Sequence, residues 1–519
     1  MRLLRAVCCA ALFLAAIAGS AVSQDVTLTS RDGLVAVGGN LLGYDGEFYR
    51  VDTEYGVLTL DGSGVLCDGP GCPNLDDYVA ELTISGAATI GNVLMPALVE
   101  GFGLRYGYSL RREEVAPNSI LYTLTEATQN RVAGKFTITS SNTDAGFDDL
   151  LNEGTDLVMA LREIRKPEIR AAIAGGLGDL RQKGRFRVLA LDALVPIVAP
   201  GNSVHTISMP DLARVLSGEF DNWSQLGGPD APISVHLRAT TSGLGQAVED
   251  TLLTPVGAVL SDQAVQHDSD AGLREAVLAD PFAIGISSAS ETGTAMRLAV
   301  GGACGATLTA TPRNAKTEDY PMTAPVFLYQ PAIRLPKLAR EFLGYTGSAH
   351  AQYVIRRAGF VDQLPEEVPI DAQGDRLANA IRQAGQEVPL EELQRMMTTL
   401  AGMTRLTTSF RFQAGSAQLD AQSRSNVALM ARALESGQYD GRQVLFAGFS
   451  DSDGPAEANR VIAAQRAEAV LRAVLAAGQT IDTARINLTA DAFGEAMPMA
   501  CDDSAWGRKI NRRVEVWIR

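Results

Sequence analysis

Histidine, cysteine and basic residues are all scarce in this chain, and each scarcity removes a class of chemistry. There are four histidines, His205, His236, His267 and His350, and none stands at ligand spacing from a cysteine, so no metal site is expected. Lys and Arg number 45 against 60 Asp and Glu, a net charge of −15. That is the wrong sign for a nucleic-acid partner, although a small anion responds to the field of its own cleft rather than to the global charge. Catalytic signatures are missing too. Thr240-Thr241-Ser242-Gly243 is not the Gly-x-Ser-x-Gly elbow of a hydrolase. The run from Gly38 to Gly43 lacks a phosphate-loop lysine and sits among hairpins. The chain is therefore expected to be no enzyme and to carry no cofactor. After the N-terminus no segment is apolar enough to cross a bilayer, so no transmembrane segment is expected in the mature chain.

What is present points to a large exported protein. At 519 residues the chain exceeds a single core, and 46% apolar with 20% charged residues is a globular composition. Arg2 and Arg5 precede an apolar stretch from Ala6 to Ala18, and Ala21-Val22-Ser23 supplies small residues for cleavage before Gln24. Residues 1–23 are read as a secretory signal peptide. Cys8 and Cys9 lie inside its apolar stretch rather than after it, which argues against lipidation. Of the six cysteines, Cys67, Cys72, Cys304 and Cys501 remain. Cys67-Asp-Gly-Pro-Gly-Cys72 closes a tight turn and is expected to form a local disulfide. Cys304 and Cys501 fall in different predicted domains, and their pairing stays open.

Four regions follow the signal. Residues 24–78 alternate short β-type runs with turn pairs such as Asp32-Gly33, Asp45-Gly46 and Asp61-Gly62, the pattern of β-hairpins. Residues 79–361 alternate strands and helices, with strands over Glu81–Ser85, Lys135–Ser140, Asp156–Leu161, Arg187–Val198 and Ile233–Arg238. This rhythm predicts an α/β fold with mostly parallel sheets, long enough for two lobes. Residues 362–404 are read as a linker, signalled by Pro365-Glu-Glu-Val-Pro369, and an amphipathic helix with Leu390, Leu393, Met397 and Leu400 on one face. Residues 405–519 form a compact α/β unit. Its helix faces are Val427, Met430, Ala431 and Leu434 and the long run Ala456–Ala477, and its last strand alternates Val514, Val516 and Ile518.

In that last region Gly448-Phe449-Ser450-Asp451 ends a strand, and Asn459 to Ala467 lies on the next helix. Phe493-Gly494-Glu495 and Gly507-Arg508 through Glu515 follow, with Phe412 to Leu419 upstream. Together these resemble the OmpA-like C-terminal domain family, which binds peptidoglycan. Asn459 and Arg466 are seven apart and share a helix face. An acid and a guanidinium at one cleft can hold the two ends of an amino-acid zwitterion, the guanidinium gripping the carboxylate bidentately. The resemblance implies that Asp451 and Arg466, with Asn459, hold the diaminopimelate of the wall stem peptide. Phe449-Ser450 stands where the family usually has His-Thr. The Asn511–Glu515 stretch is read as mainly structural, its arginines paired to acids across the sheet.

The middle region resembles the periplasmic phosphate-binding proteins of ABC transporters. The residues that carry the likeness are Ser217 to Trp223, Arg238-Ala-Thr-Thr-Ser242-Gly243, Ile84 to Ile90, Phe282 to Ile286 and Tyr320-Pro321. The resemblance implies two α/β lobes with an oxyanion between them. Thr89 and Ile90 at a helix start, Ser141 and Thr143 after another strand, and Arg238, Ser242 and Gly243 would supply the donors. Ser242-Gly243-Leu244 loses one hydroxyl of the family's Ser-Gly-Thr. Leu161-Arg162-Glu163 stands where phosphate-specific members carry an aspartate.

The sequence thus predicts a two-lobed periplasmic binding protein fold preceded by a small β segment and followed by an OmpA-like α/β sandwich domain. The expected function is binding of a small oxyanion and of peptidoglycan, in the periplasm in association with the wall and outer membrane. A second reading makes it a wall-anchored structural or interaction protein whose lobed domain has lost its ligand.

Overall fold

The computed structural model describes residues 25–519 except 76, 303, 305, 385, 386, 414, 415 and 417. The signal segment, and part of the Phe412–Leu419 run, lie outside the described residues. Among the described residues no helix is long and apolar enough to cross a membrane.

The predicted hairpins form one antiparallel sheet of β1 (Val26–Ser30), β2 (Ala36–Tyr44), β3 (Phe48–Thr53), β4 (Gly56–Asp61) and β5 (Val65–Asp68), in the order β4-β3-β2-β1-β5. Alternation places Val26, Leu28, Tyr49 and Val51 in its small core. Cys67 and Cys72 are disulfide-bonded beside it. The module docks on the next unit through Glu47, which accepts from Arg340 at 2.9 Å, and through Arg334, which pairs with Asp45 and covers the Phe48 ring.

The middle region contains β6 (Ala80–Ala87), β7 (Tyr108–Ala116), β8 (Ser119–Glu126), β9 (Arg131–Ser141), β10 (Leu157–Ala160) and β11 (Phe186–Val198). It continues with β12 (Thr206–Ile207), β13 (Ser234–Arg238), β14 (Val265–His267), β15 (Ala283–Ser288), β16 (Met296–Arg297), β17 (Ala299–Val300) and β18 (Thr323–Tyr329). The main sheet runs β14-β13-β15-β11-β18-β10-β6-β9-β8-β7. Two parallel triplets, β10-β6-β9 and β14-β13-β15, are the two lobes. The sheet is mixed rather than mostly parallel. The hairpin β7–β8 was not anticipated, and the crossing strands β11 and β18 pair antiparallel. β11 belongs to both lobes: Phe186 to Ala193 pair with β18, and Leu194 to Val198 pair with β15. Each lobe has its own apolar core, one around Leu82, Ile84, Phe102 and Phe136, the other around Val195, Leu212, Trp223 and Ile286.

The C-terminal sheet comprises β19 (Glu367–Pro369), β20 (Thr404–Arg411), β21 (Gln443–Phe449), β22 (Asn487–Gly494) and β23 (Arg513–Ile518), ordered β19-β20-β23-β21-β22. The segment read as a linker is therefore an edge strand, a position that tolerates its prolines. On one face of the sheet the helices Ala421–Glu435 and Ala456–Ala477 bury Val427, Met430, Leu434, Val470 and Val474. On the other, helix Leu390–Leu400 buries Leu393, Met396 and Leu400 against Leu445, Phe449 and Trp517. The anticipated stripe is off at two places, since Leu390 and Met397 are exposed.

The C-terminal unit does not swing free. Arg405 of β20 donates to Asp319 at 2.7 and 3.2 Å, and Arg411 reaches the same carboxylate at 3.3 Å. Arg405 also faces Glu515 at 3.4 Å, and Arg513 donates to Glu515 at 2.7 Å with Arg376 beside it. Ser409 donates to the Thr317 carbonyl at 2.6 Å. Cys304 and Cys501 form a disulfide across the same boundary, which settles the pairing the sequence left open.

Glu318 lies at the edge of this network with its Oε1 buried and unpartnered among the described residues. Burial, with Asp420 adding, pushes its carboxyl up from 4.5 to about 8. The folded protein therefore holds a proton that the unfolded chain releases, so the associated stability is complete below pH 4.5 and lost as pH rises through 8. Glu318→Gln is expected to match the parent in thermal unfolding at pH 4.5. At pH 8.5 it should exceed the parent by several kcal/mol, about 1.4 kcal/mol for each unit by which folding raises the carboxyl pKa. Equal stabilities at pH 8.5 would refute the burial of this carboxyl.

Candidate functional site

The lobes meet over a cavity of about 160 Å³. Thr89, just past the end of β6, lines it from the first lobe with Ala88 and Asn92. Arg238, the last residue of β13, and Ser242-Gly243 line it from the second. Parallel strands end on one edge of their sheet, and the chain turns there into a helix, so strand-end residues from both lobes converge. Of the anticipated donors, Thr89, Arg238, Ser242 and Gly243 are brought together.

Three others are not. Ile90, read as a backbone donor, buries its side chain in the first lobe's core and is not among the residues that line the cavity. Ser141 Oγ lies 3.4 Å from the carbonyls of Gly86 and Asn142. Thr143 is buried, and its hydroxyl accepts from Leu161 N at 3.1 Å. The helix after β9 is capped by Asn142, whose Oδ1 accepts from Ala145 N, and this turn carries Ser141 and Thr143 away from the cavity.

The cavity also holds residues that were not singled out: Asp268, Ser269, Asp270, Ser290 and Glu291. Asp270 Oδ2 stands 3.6 Å from Arg238 Nη1, while Arg238 Nε is buried and unpartnered among the described residues. Glu291 faces Arg274 at 3.4 Å. Ser242 Oγ accepts from Gly245 N at 3.0 Å as the helix cap, which leaves its proton to donate elsewhere. Ser290 leads inward through Ser288 at 2.7 Å to Asp192, which accepts from Ser288 at 2.6 Å. Burial pushes the Asp192 carboxyl up to about 6, against the pull of its three hydrogen bonds. The only sequence signal for the acids was Asp268-Ser269-Asp270 ahead of a helix, which is an ordinary helix start.

Contacts shut the lobes. Asn142 Nδ2 donates to the Thr241 carbonyl at 2.8 Å, and Asp250 of the second lobe pairs with Arg165 of the first at 2.9 Å. Gly243 approaches so closely that a Cβ there would stand 3.2 Å from Ala87 Cβ and 3.5 Å from Leu161 Cδ1.

In the C-terminal unit Asp451 follows β21, nearly buried, and its Oδ2 accepts from Arg512 at 2.7 Å. Arg512 is thus paired to an acid, as expected for the arginines of the Asn511–Glu515 stretch, and that acid is Asp451. Arg466 lies over the Phe412 ring at 5.2 Å and has no carboxylate partner among the described residues. Burial pulls its pKa down, Arg512 adds to this, and Asp451 opposes it. Asn459 is turned away: its Nδ2 donates to Glu495 at 2.7 Å and to the Gly454 carbonyl at 3.3 Å. The strand reading holds for the stretch beyond, where Arg513 and Glu515 are fully buried and paired.

Comparison with known proteins gives two family matches. Residues 80–349 match the PBP superfamily domain, and residues 411–512 match the OmpA family. The phosphate-binding protein PstS of Borreliella burgdorferi is 31% identical over 122 residues, which is 24% of this chain and 40% of that protein, less than half its length. Protein SphX of Synechococcus elongatus is 27% identical over 237 residues, covering 43% of this chain and 68% of that one. An ABC-type phosphate transport receptor from Vibrio cholerae has 19% identity and a TM-score of 0.41, covering 54% of this chain and 99% of that chain.

Gly243→Val should overpack the point where the lobes meet, at a cost of about 1–3 kcal/mol in chemical denaturation. A variant as stable as the parent would mean that the lobes stand further apart in solution.

Proposed function

Since the chain belongs to the PBP superfamily over residues 80–349 and matches the OmpA family over residues 411–512, we propose that it is a peptidoglycan-bound periplasmic receptor for a small oxyanion. The observation that supports the receptor reading is the meeting of Thr89, Arg238 and Ser242 from two lobes in one small cavity. A guanidinium with two hydroxyl donors can satisfy several oxygens of one anion. Relatives named as phosphate-binding proteins make phosphate the first ligand to try.

The acids refine the choice. Ionised carboxylates only accept hydrogen bonds, so Asp268 and Asp270 favour an oxyanion that still carries a proton and disfavour sulfate, which carries none. Asp270 would take the role for which the sequence offered no aspartate after β10. The spacer reading also has support, because Arg238 is already engaged by Asp270 and the lobes are shut. In the C-terminal unit Arg466, with no acid of its own, would take the carboxylate of a diaminopimelate centre, and Asp451 its ammonium. Arg512 would hold the Asp451 carboxylate in place.

Calorimetry on the mature chain should show phosphate binding with little or no response to sulfate. Arg238→Ala is expected to cost at least about 2 kcal/mol of that affinity. No heat with any oxyanion at millimolar concentration would sink the receptor reading in favour of the spacer. For the wall, Asp451→Ala and Arg466→Ala should each abolish co-sedimentation with purified peptidoglycan, a loss of roughly 2–5 kcal/mol, with circular dichroism unchanged. Pelleting of both variants like the parent would remove the anchor assignment.

A further inference from the structure

A second cavity, of about 830 Å³, lies between the first lobe and the C-terminal helix Ala421–Glu435, apart from both sites above. Its size falls within the roughly 300–1,000 Å³ of small-molecule pockets. Its charge runs against the rest of the chain. Arg181, Lys183, Arg187, Arg424 and Arg432 line it, and no Asp or Glu does, in a protein of net charge −15.

Two of these cations belong to other groups: Arg181 is held by Asp179 at 2.8 Å, and Arg424 faces Glu163 at 3.7 Å. Lys183 makes no salt bridge but acts on the Glu435 carboxylate, whereas Arg187 and Arg432 have no ion-pair partner among the described residues. Arg187 is anchored only by neutral acceptors, the Leu343 carbonyl and Thr346 Oγ1. Burial, with Arg432 adding, pulls its pKa down, and among the described residues no carboxylate lines the cavity to offset the two guanidiniums. Arg432 is exposed, and its Nε donates only to the Ala428 carbonyl of its own helix. Unpaired like charges at a half-enclosed site are unfavourable unless an anion joins them.

The remainder of the wall is apolar, supplied by Val188, Leu189, Val427, Leu429, Ala473 and Ala477. A bare inorganic anion would leave that surface wet, and a neutral apolar molecule would leave the cations unpaired. From this juxtaposition we propose that the groove binds a single-chain anionic amphiphile of the fatty-acid type, its carboxylate between Arg187 and Arg432 and its chain along the helix. The charge at one end fixes orientation, and the chain contributes affinity in proportion to the apolar area it covers.

The test uses the full mature chain with dansyl-undecanoate as the fluorescent probe and laurate as competitor. Laurate should displace the probe saturably at micromolar concentration, while acetate and dodecyltrimethylammonium should not. R432Q changes an exposed residue and should fold as the parent does, with laurate binding weakened about tenfold. R187Q should act in the same direction, with circular dichroism to check its fold. Four results would each overturn the proposal: no saturable displacement by laurate at millimolar concentration, equal displacement by the cationic detergent, unchanged laurate binding in R432Q, or displacement by a purified stem peptide but not by laurate.

Discussion

The carboxylate of Asp319, buried against Arg405 and Arg411, is the contact on which the arrangement of the whole chain depends. Burial alone would raise its pKa, but Arg405 and Arg376 hold it far below the usual carboxylate range. Glu515, on the strand β23 next to β20, repeats the situation, with burial again outweighed by arginines, Arg376 first and then Arg405. Guanidiniums from β20, β23 and helix Gly374–Gln383 thus share two acids contributed by different units. Buried ion pairs add little net stability over apolar packing, but leaving one member alone is severely unfavourable. Such a network therefore selects one docking geometry more than it strengthens the fold. It also explains why β20 can present its charged side chains inward: the segment Lys316–Asp319 covers them.

Legibility followed local pattern. The hairpins of residues 26–68 were marked by their Asp-Gly turn pairs, the lobe strands by short apolar runs between turns, and helix Ala456–Ala477 by a long stretch without a breaker, and the structure has them there. The hairpin β7–β8 did not stand out, because its charged run Arg111 to Glu114 reads as solvated loop when it is an exposed edge strand. Helix Gly374–Gln383 was hidden for a related reason. Its buried face includes Arg376 and Asn379, polar residues whose partners come from distant parts of the chain.

The same division runs through the sites. Thr89, Arg238 and Ser242 were readable as neighbours because each stands where a parallel strand gives way to a helix, and such strands deliver their ends to one place. Asp268, Asp270 and Glu291 were not, since an acid near a helix start is common and only the shut lobes show what it faces. Asn459 went the other way: its helical spacing to Arg466 was correct, but Glu495 claimed its amide. Arg512 and Arg513 are adjacent, but the first ends a helix and reaches Asp451 while the second opens β23 and enters the core. No reading of a dibasic pair by itself separates them.

The C-terminal unit grips both lobes. Glu163 of the first lobe accepts from Ala421 N at 2.9 Å, and Trp506 donates its indole N–H to the Thr251 carbonyl of the second at 2.8 Å. Trp506 also completes the second lobe's core. The unit therefore bridges the two lobes as a strut, and parting the lobes would strain one of its two footholds. Spreading the lobes would then load both footholds at once, so the inter-lobe angle and the seating of the C-terminal unit are one mechanical variable.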